Sequence, residues 1–212
     1  MRIAYFCCHP DHLKLGALSV ASARACMPGV EIVHLTDEVT GKLQGADTVM
    51  RFATEGNFWR RSWTAAAALD GDVLLLGTDT IFRRDVTGVF AQPFTIALPH
   101  IADKRWKWDA GTVFSRRPDF FMAMAGDPVS LLPHDSLDVD RYLTEYHRCV
   151  ASLGAGVKAL PGEIYGYVPK SATDPGISGA AIVHYRGPRK RWMLPEWDVE
   201  TERCIAWATA TN

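Results

Sequence analysis

Four consecutive apolar residues, Val73-Leu74-Leu75-Leu76, leave no face of a strand for water, so a strand formed by them must be covered on both sides. The small and polar residues Gly77-Thr78-Asp79-Thr80 follow directly and read as a turn. Strands of this kind alternate with helices, and the rest of the chain shows that alternation. Arg2 to Cys8 reads as a buried strand, Asp11 as the N-cap of a helix to about Cys26, Pro28-Gly29 as a turn and Glu31 to Leu35 as the next strand. Asn57 is placed to cap a second helix, in which Trp59, Trp63, Ala66 and Ala67 share a face and which Gly71 ends. Further strands are expected at Phe94 to Leu98 and Thr112 to Phe114, helices from Pro118 and over roughly Val139 to Leu153, and a closing strand, Ala180 to Val183, just before His184. The pattern predicts an α/β fold in one domain over residues 1–212, with a mainly parallel sheet covered by helices. Sheets of this type bind ligands at the carboxyl ends of their strands, where both Asp79 and His184 are expected.

Composition narrows the ligand. With 48% hydrophobic and 22% charged residues the chain has the balance of a globular protein, and a formal net charge of -1 offers no general field for nucleic acid or an anionic membrane. Any anion site must therefore be local. No apolar stretch reaches the roughly eighteen residues needed to span a bilayer, and the N-terminus lacks the features of a signal peptide, so a cytoplasmic location is the expectation. The five cysteines, Cys7, Cys8, Cys26, Cys149 and Cys204, are scattered and form no CxxC pair, which points to reduced thiols rather than a disulfide framework or a structural zinc site.

The local anion site has a candidate after the closing strand. His184-Tyr185-Arg186-Gly187-Pro188-Arg189-Lys190-Arg191-Trp192 puts an imidazole at a strand end, a glycine three residues on and a cationic cluster beyond. Arg186, Arg189, Lys190 and Arg191 can offer donors to phosphate oxygens, the arginines in bidentate fashion and the lysine as a point charge. The same residues also suit a solvated basic turn. Asp79, on a turn with small neighbours after a buried strand, is placed either to hold a phosphate-bridging divalent ion or to tighten the turn before Arg83 and Arg84.

Four segments in order resemble the motifs of GT-A glycosyltransferases, particularly glycosyltransferase family 8. Leu76 to Val86 is similar to the strand and metal-binding DxD turn, with Asp79 on the second acid and Gly77 in place of the first. Trp108 to Phe114 resembles the aromatic-Asn-Ala/Ser-Gly segment, with Asp109 for Asn; Leu160-Pro161 with Tyr165-Gly166-Tyr167 resembles the Leu-Pro and Tyr-Asn element; His184 to Trp192 resembles HxxGxxKPW, with Arg191 for Pro. The resemblance implies a single GT-A, Rossmann-like, nucleotide-diphospho-sugar transferase domain acting on a nucleotide-sugar donor, with a UDP-sugar and retention as the leaning, and on an unknown acceptor. It implies Mn2+ or Mg2+ on Asp79 and His184, the diphosphate on Lys190 and the Gly187 backbone, and Thr78 among the donor contacts. Cys8 and His9 match the nucleoside-contacting strand end, and Arg60 or Arg61, preferably Arg61, matches a donor-binding basic residue. Asp109 would lie near the donor sugar as the catalytic carboxylate. Gly77 removes one ligand, which raises a nucleotide-sugar binding protein without turnover as an alternative.

A rival enzyme reading begins at Cys8-His9-Pro10-Asp11-His12, which resembles the HPDD segment of zinc-dependent N-acetylglucosaminyl deacetylases, with His12 for the second acid. Histidine is a competent zinc ligand. Its further ligands would have to come from a segment such as His134-Asp135.

Overall fold

The computed structural model describes residues 1–53, 58–101, 105, 107–126 and 139–193. The expected helix cap Asn57 and the His134-Asp135 segment lie outside the described residues. Strands β1 (Arg2–Phe6), β2 (Glu31–Thr36), β3 (Thr48–Arg51), β4 (Val73–Leu76), β5 (Thr80–Phe82), β6 (Ile96–His100), β7 (Thr112–Ser115), β8 (Val157–Pro161) and β9 (Ile182–His184) are interleaved with helices α1 (Pro10–Cys26), α2 (Phe58–Ala66), α3 (Pro118–Ala125), α4 (Val139–Ser152) and α5 (Gly162–Tyr165). The main sheet has the order β3-β2-β1-β4-β7-β6-β8, and β5 pairs with β9 in a separate two-stranded ribbon. Among the described residues no helix is long and apolar enough to cross a membrane.

The apolar run of β4 behaves as its composition dictates. Leu74 and Leu76 enter a core with Ile3, Val20, Ala23 and Met27 on the α1 side. Val73 and Leu75 enter the opposite core, with Trp63, Phe120, Phe121 and Tyr146 from α2, α3 and α4. Period-two alternation sends successive side chains to opposite faces, and each fully buried Val or Leu contributes roughly 1.5–3 kcal/mol.

The sheet is mainly parallel, as the sequence predicts, with β7 running antiparallel to both β4 and β6. After β6, Ile101 N donates to Lys107 O and His100 bridges Trp108 in antiparallel fashion, so the chain doubles back instead of crossing over. The closing strand β9 does not join the main sheet: it pairs antiparallel with β5, Thr80 facing His184. Only residues 77–79 separate β4 from β5, too few for a crossover, so β5 projects past the sheet and finds its partner there. Finally, His9 rather than Asp11 caps α1: Pro10 occupies the first turn and the His9 ring accepts from Asp11 N.

Candidate functional site

The ribbon pairing brings distant residues to one point. Because Thr80 faces His184 and Tyr185 N donates to Asp79 O at 2.8 Å, the turn after β4 and the end of β9 are locked side by side. The turn is also held from beneath. Thr80 Oγ1 donates to Gly77 O at 3.0 Å and lies 3.0 Å from Ser19 Oγ of α1, which donates to Tyr5 Oη; Ser22 Oγ accepts from Phe82 N. All these hydroxyls are buried, so the network holds the turn in a low-dielectric setting where losing any one partner would be costly.

His184 Nε2 lies 3.2 Å from Asp79 Oδ1, and Lys190 Nζ 3.3 Å from Asp79 Oδ2. Behind the ring, His184 Nδ1 lies 3.5 Å from Asp109 Oδ2, Arg186 pairs with Asp109 Oδ1, and Gly111 N donates to that same oxygen at 2.7 Å. Burial alone would raise the Asp79 carboxyl, but the hydrogen bond and charge of His184, with the Lys190 ammonium, outweigh it and hold the group well below the usual carboxylate range. Asp109 is likewise held low against its burial, by Arg186, His184 and the Gly111 N–H. For His184 burial lowers the pKa, yet its bonds to Asp109 and Asp79 prevail and raise it.

Glycine is dictated at position 111, because a Cβ there would run into the His184 ring. Gly166 is pressed similarly: its Cβ would stand 2.9 Å from Asp109 Oδ2. The four segments singled out in the sequence thus meet at one place, around Asp79, Asp109, Gly166 and His184. Gly77 does not use a left-handed backbone, and its Cβ would stand 2.8 Å from Asp79 Oδ1. A side chain at position 77 would therefore crowd the Asp79 carboxylate, while the backbone there would accept one.

Other expected residues are spread around this centre. Of the four cations after β9, Lys190 reaches Asp79, Arg186 turns inward to Asp109, Arg189 Nε donates to Pro169 O at 2.8 Å and Arg191 lies over the Trp192 ring. Gly187 is exposed with φ of 57°. Thr78 is buried, and a Cβ on Gly16 of α1 would stand 3.2 Å from its methyl group. Cys8 is half-buried beyond β1, its thiol pushed up by that burial, while His9 is exposed at the start of α1. Arg61 on α2 donates to Asp37 Oδ2 at 3.3 Å, beyond the end of β2. Asp37 stands directly after the buried strand β2. Sequence reasoning missed the pairing of Asp37 with Arg61. It also missed the inward role of Arg186 and the approach of His12, whose pKa falls through burial and the nearby Lys190 charge.

A divalent cation fits this donor set in part. Asp79 Oδ1 and His184 Nε2, 3.2 Å apart, are spaced as two neighbouring ligands of one ion. Among the described residues no group of three His, Cys, Asp or Glu is gathered as a metal site. A zinc centre asks for three or four protein ligands, whereas Mg2+ and similar hard cations are commonly held by one or two side chains plus phosphate and water. Asp79 and His184 suit the second arrangement.

By sequence, neither a protein-family model nor a curated protein matches the chain. By structure, the chain resembles the apo form of the glycosyltransferase GlyE of Streptococcus pneumoniae, with a TM-score of 0.67 at 13% identity over 99% of this chain and 63% of that one. The chain thus spans less than two thirds of GlyE. It resembles the galactosyltransferase LgtC in complex with donor and acceptor sugar analogs, with a TM-score of 0.55 at 14% identity over 89% of this chain and 88% of that one. A glycosyltransferase involved in glycosylation of the major capsid of PBCV-1 gives a TM-score of 0.59 at 12% identity, covering 93% and 100% of the two chains. The chain therefore has a GT-A, glycosyltransferase-like fold: a mixed, mainly parallel sheet flanked by helices.

Proposed function

We propose that the chain transfers a sugar from a nucleoside diphosphate, a UDP-sugar by preference, to an acceptor. The observation that carries this reading is the convergence of Asp79, His184 and Lys190 from two separate segments at the ligand-binding end of a GT-A-type sheet. Asp79 and His184 would hold Mn2+ or Mg2+, which when bound neutralises charge on the diphosphate. Lys190 then exchanges its Asp79 partner for a phosphate oxygen. The donor's anomeric carbon–oxygen bond breaks with its electron pair going to the diphosphate, and Lys190 stabilises that developing charge; the acceptor oxygen forms the new bond and passes its proton to the departing diphosphate. Cys8, His9 and Arg61 would face the nucleoside, and Thr78 and the Gly187 backbone would flank the phosphates.

Thermal shift against a panel of nucleoside diphosphates and nucleotide-sugars, with and without Mn2+, tests the reading. Stabilisation by UDP that Mn2+ enhances is the expected result, with UDP released from the sugar donor in a turnover assay. Lys190→Ala should weaken UDP by about 1–3 kcal/mol, the scale of a lost charge-assisted hydrogen bond. Binding without release would leave a nucleotide-sugar binding protein, and tight zinc with acetate release from an N-acetylated sugar would sink the transferase reading.

A further inference from the structure

His184 Nδ1 has two neighbours that ask opposite things of it. Arg186 Nε, a permanent donor, lies 3.2 Å away and needs a lone pair; Asp109 Oδ2, an acceptor, lies 3.5 Å away and needs a proton. A neutral imidazole carries one N–H and one lone pair, so the two demands exclude each other. If Nδ1 accepts from Arg186, the proton sits on Nε2, points at Asp79 Oδ1 and leaves no lone pair on that side. If Nδ1 donates to Asp109, the Nε2 lone pair stands beside the Asp79 carboxylate.

We propose that Asp109 is a positioning residue: held by Arg186 and the Gly111 N–H, it takes the Nδ1 proton of His184 and so turns the Nε2 lone pair toward a divalent cation at Asp79. The surroundings suit this role better than contact with a sugar. The Asp109 side chain is 0% exposed, and its Oδ1 already serves Arg186 and Gly111 N. Oδ2 faces the ring on one side and Gly166 on the other, where no side chain would fit. The ring itself is pressed by Gly111, so neither partner can swing away cheaply. Carboxylate–histidine–metal arrangements of this kind set the tautomer and raise the basicity of the ligating nitrogen. Arg186 remains on Asp109 through its terminal nitrogen and keeps the buried carboxylate from being an unpaired charge. This deepens the proposed function and rests on it for the cation, though not for the tautomer.

Nuclear magnetic resonance of isotopically labelled imidazole nitrogens reads the tautomer directly, with His184 assigned by its loss in His184→Gln. At a pH where the ring is neutral, the ligand-free protein should show its proton on Nδ1, and Mg2+ with UDP should leave it there. Asp109→Ala should abolish that preference and weaken Mn2+ binding in the presence of UDP, read by electron paramagnetic resonance, by about 10- to 100-fold. Asp109→Asn, whose single amide oxygen is claimed by Gly111 N and Arg186, should turn its NH2 toward the ring and move the proton to Nε2. A wild-type proton on Nε2 would overturn the proposal, and so would unchanged Mn2+ affinity in folded Asp109→Ala. If Asp109→Ala does not fold, the wild-type tautomer decides alone. A wild-type Nδ1 proton with no uptake of Mn2+ upholds the hold of Asp109 on the ring and removes the metal from the proposed function.

Discussion

Two groups of histidine and carboxylate lie toward the same end of the molecule, one where β9 meets the turn after β4 and one in the first turn of α1, and their surroundings differ sharply. In the first, Asp79, Asp109 and His184 have side chains 14%, 0% and 8% exposed, and each is paired with a group from a distant part of the chain. In the second, the His9 and Asp11 side chains are 63% and 86% exposed, and their contact is local, His9 Nδ1 to Asp11 Oδ2 at 3.6 Å. The residue types are nearly the same. The physical difference is water: a low-dielectric setting strengthens each pairing in the ribbon cluster, whereas solvent screens the helix turn to a few tenths of a kcal/mol or less. The contrast favours the ribbon end over the α1 turn as the seat of chemistry.

The sharpest way to break this contrast is Gly111→Ala. The new methyl group would meet the His184 ring with little room to relax, and overpacking of that kind costs about 1–3 kcal/mol. Denaturant unfolding should show that loss, and the displaced imidazole should cost most of the Mn2+ response to UDP. Full stability and an unchanged response would mean that the ring is free to move and that the cluster is not the rigid centre.

A pH series sharpens the comparison at intermediate scale. Asp79 and Asp109 titrate below their ordinary range in the folded chain, so their contribution to stability is present above the unfolded carboxylate value and lost as pH falls through the lower folded values. His184 is raised, so its contribution is fully present below the unfolded value near 6.5 and lost as pH rises through the folded one. Stability measured against pH should therefore be highest between these limits, and Asp109→Asn should flatten both arms, since it removes a carboxylate and a partner of the imidazolium. A profile identical in the variant would place the coupling elsewhere.

The smallest effect is expected from His9→Ala. It removes an exposed cap bond of 3.3 Å, for which about 1 kcal/mol or less of helix stability is the scale. Zinc affinity should not change. Loss of a tight zinc site in this variant, seen by calorimetry, would reverse the ranking of the two clusters.

Much of this arrangement was legible in the residues. Strand β4, the first helix after β1 and the chain order of four motif-like segments follow from apolar runs, turn residues and spacing, all local properties. The placement of Asp79 beside His184 was legible because both end apolar runs. What the inner cluster does with its charges was not: Arg186 reads as one of four interchangeable phosphate donors, and Asp109 as a carboxylate open to a sugar, until Gly111 and Gly166 are seen to close around it.

The sequence by itself determined that strands alternate with helices, that β4 is covered on both faces and that a turn carrying Asp79 opens at its end, because burial periodicity and turn chemistry act over a few neighbouring residues. Only the tertiary structure decided that β7 runs backwards, that β5 leaves the main sheet to meet β9, and that Arg186 faces Asp109 while Lys190 faces Asp79. Those outcomes depend on loop lengths closing in space and on which buried charge finds which partner, and such pairings join residues as far apart as Asp109 and Arg186, whose meeting no local pattern encodes.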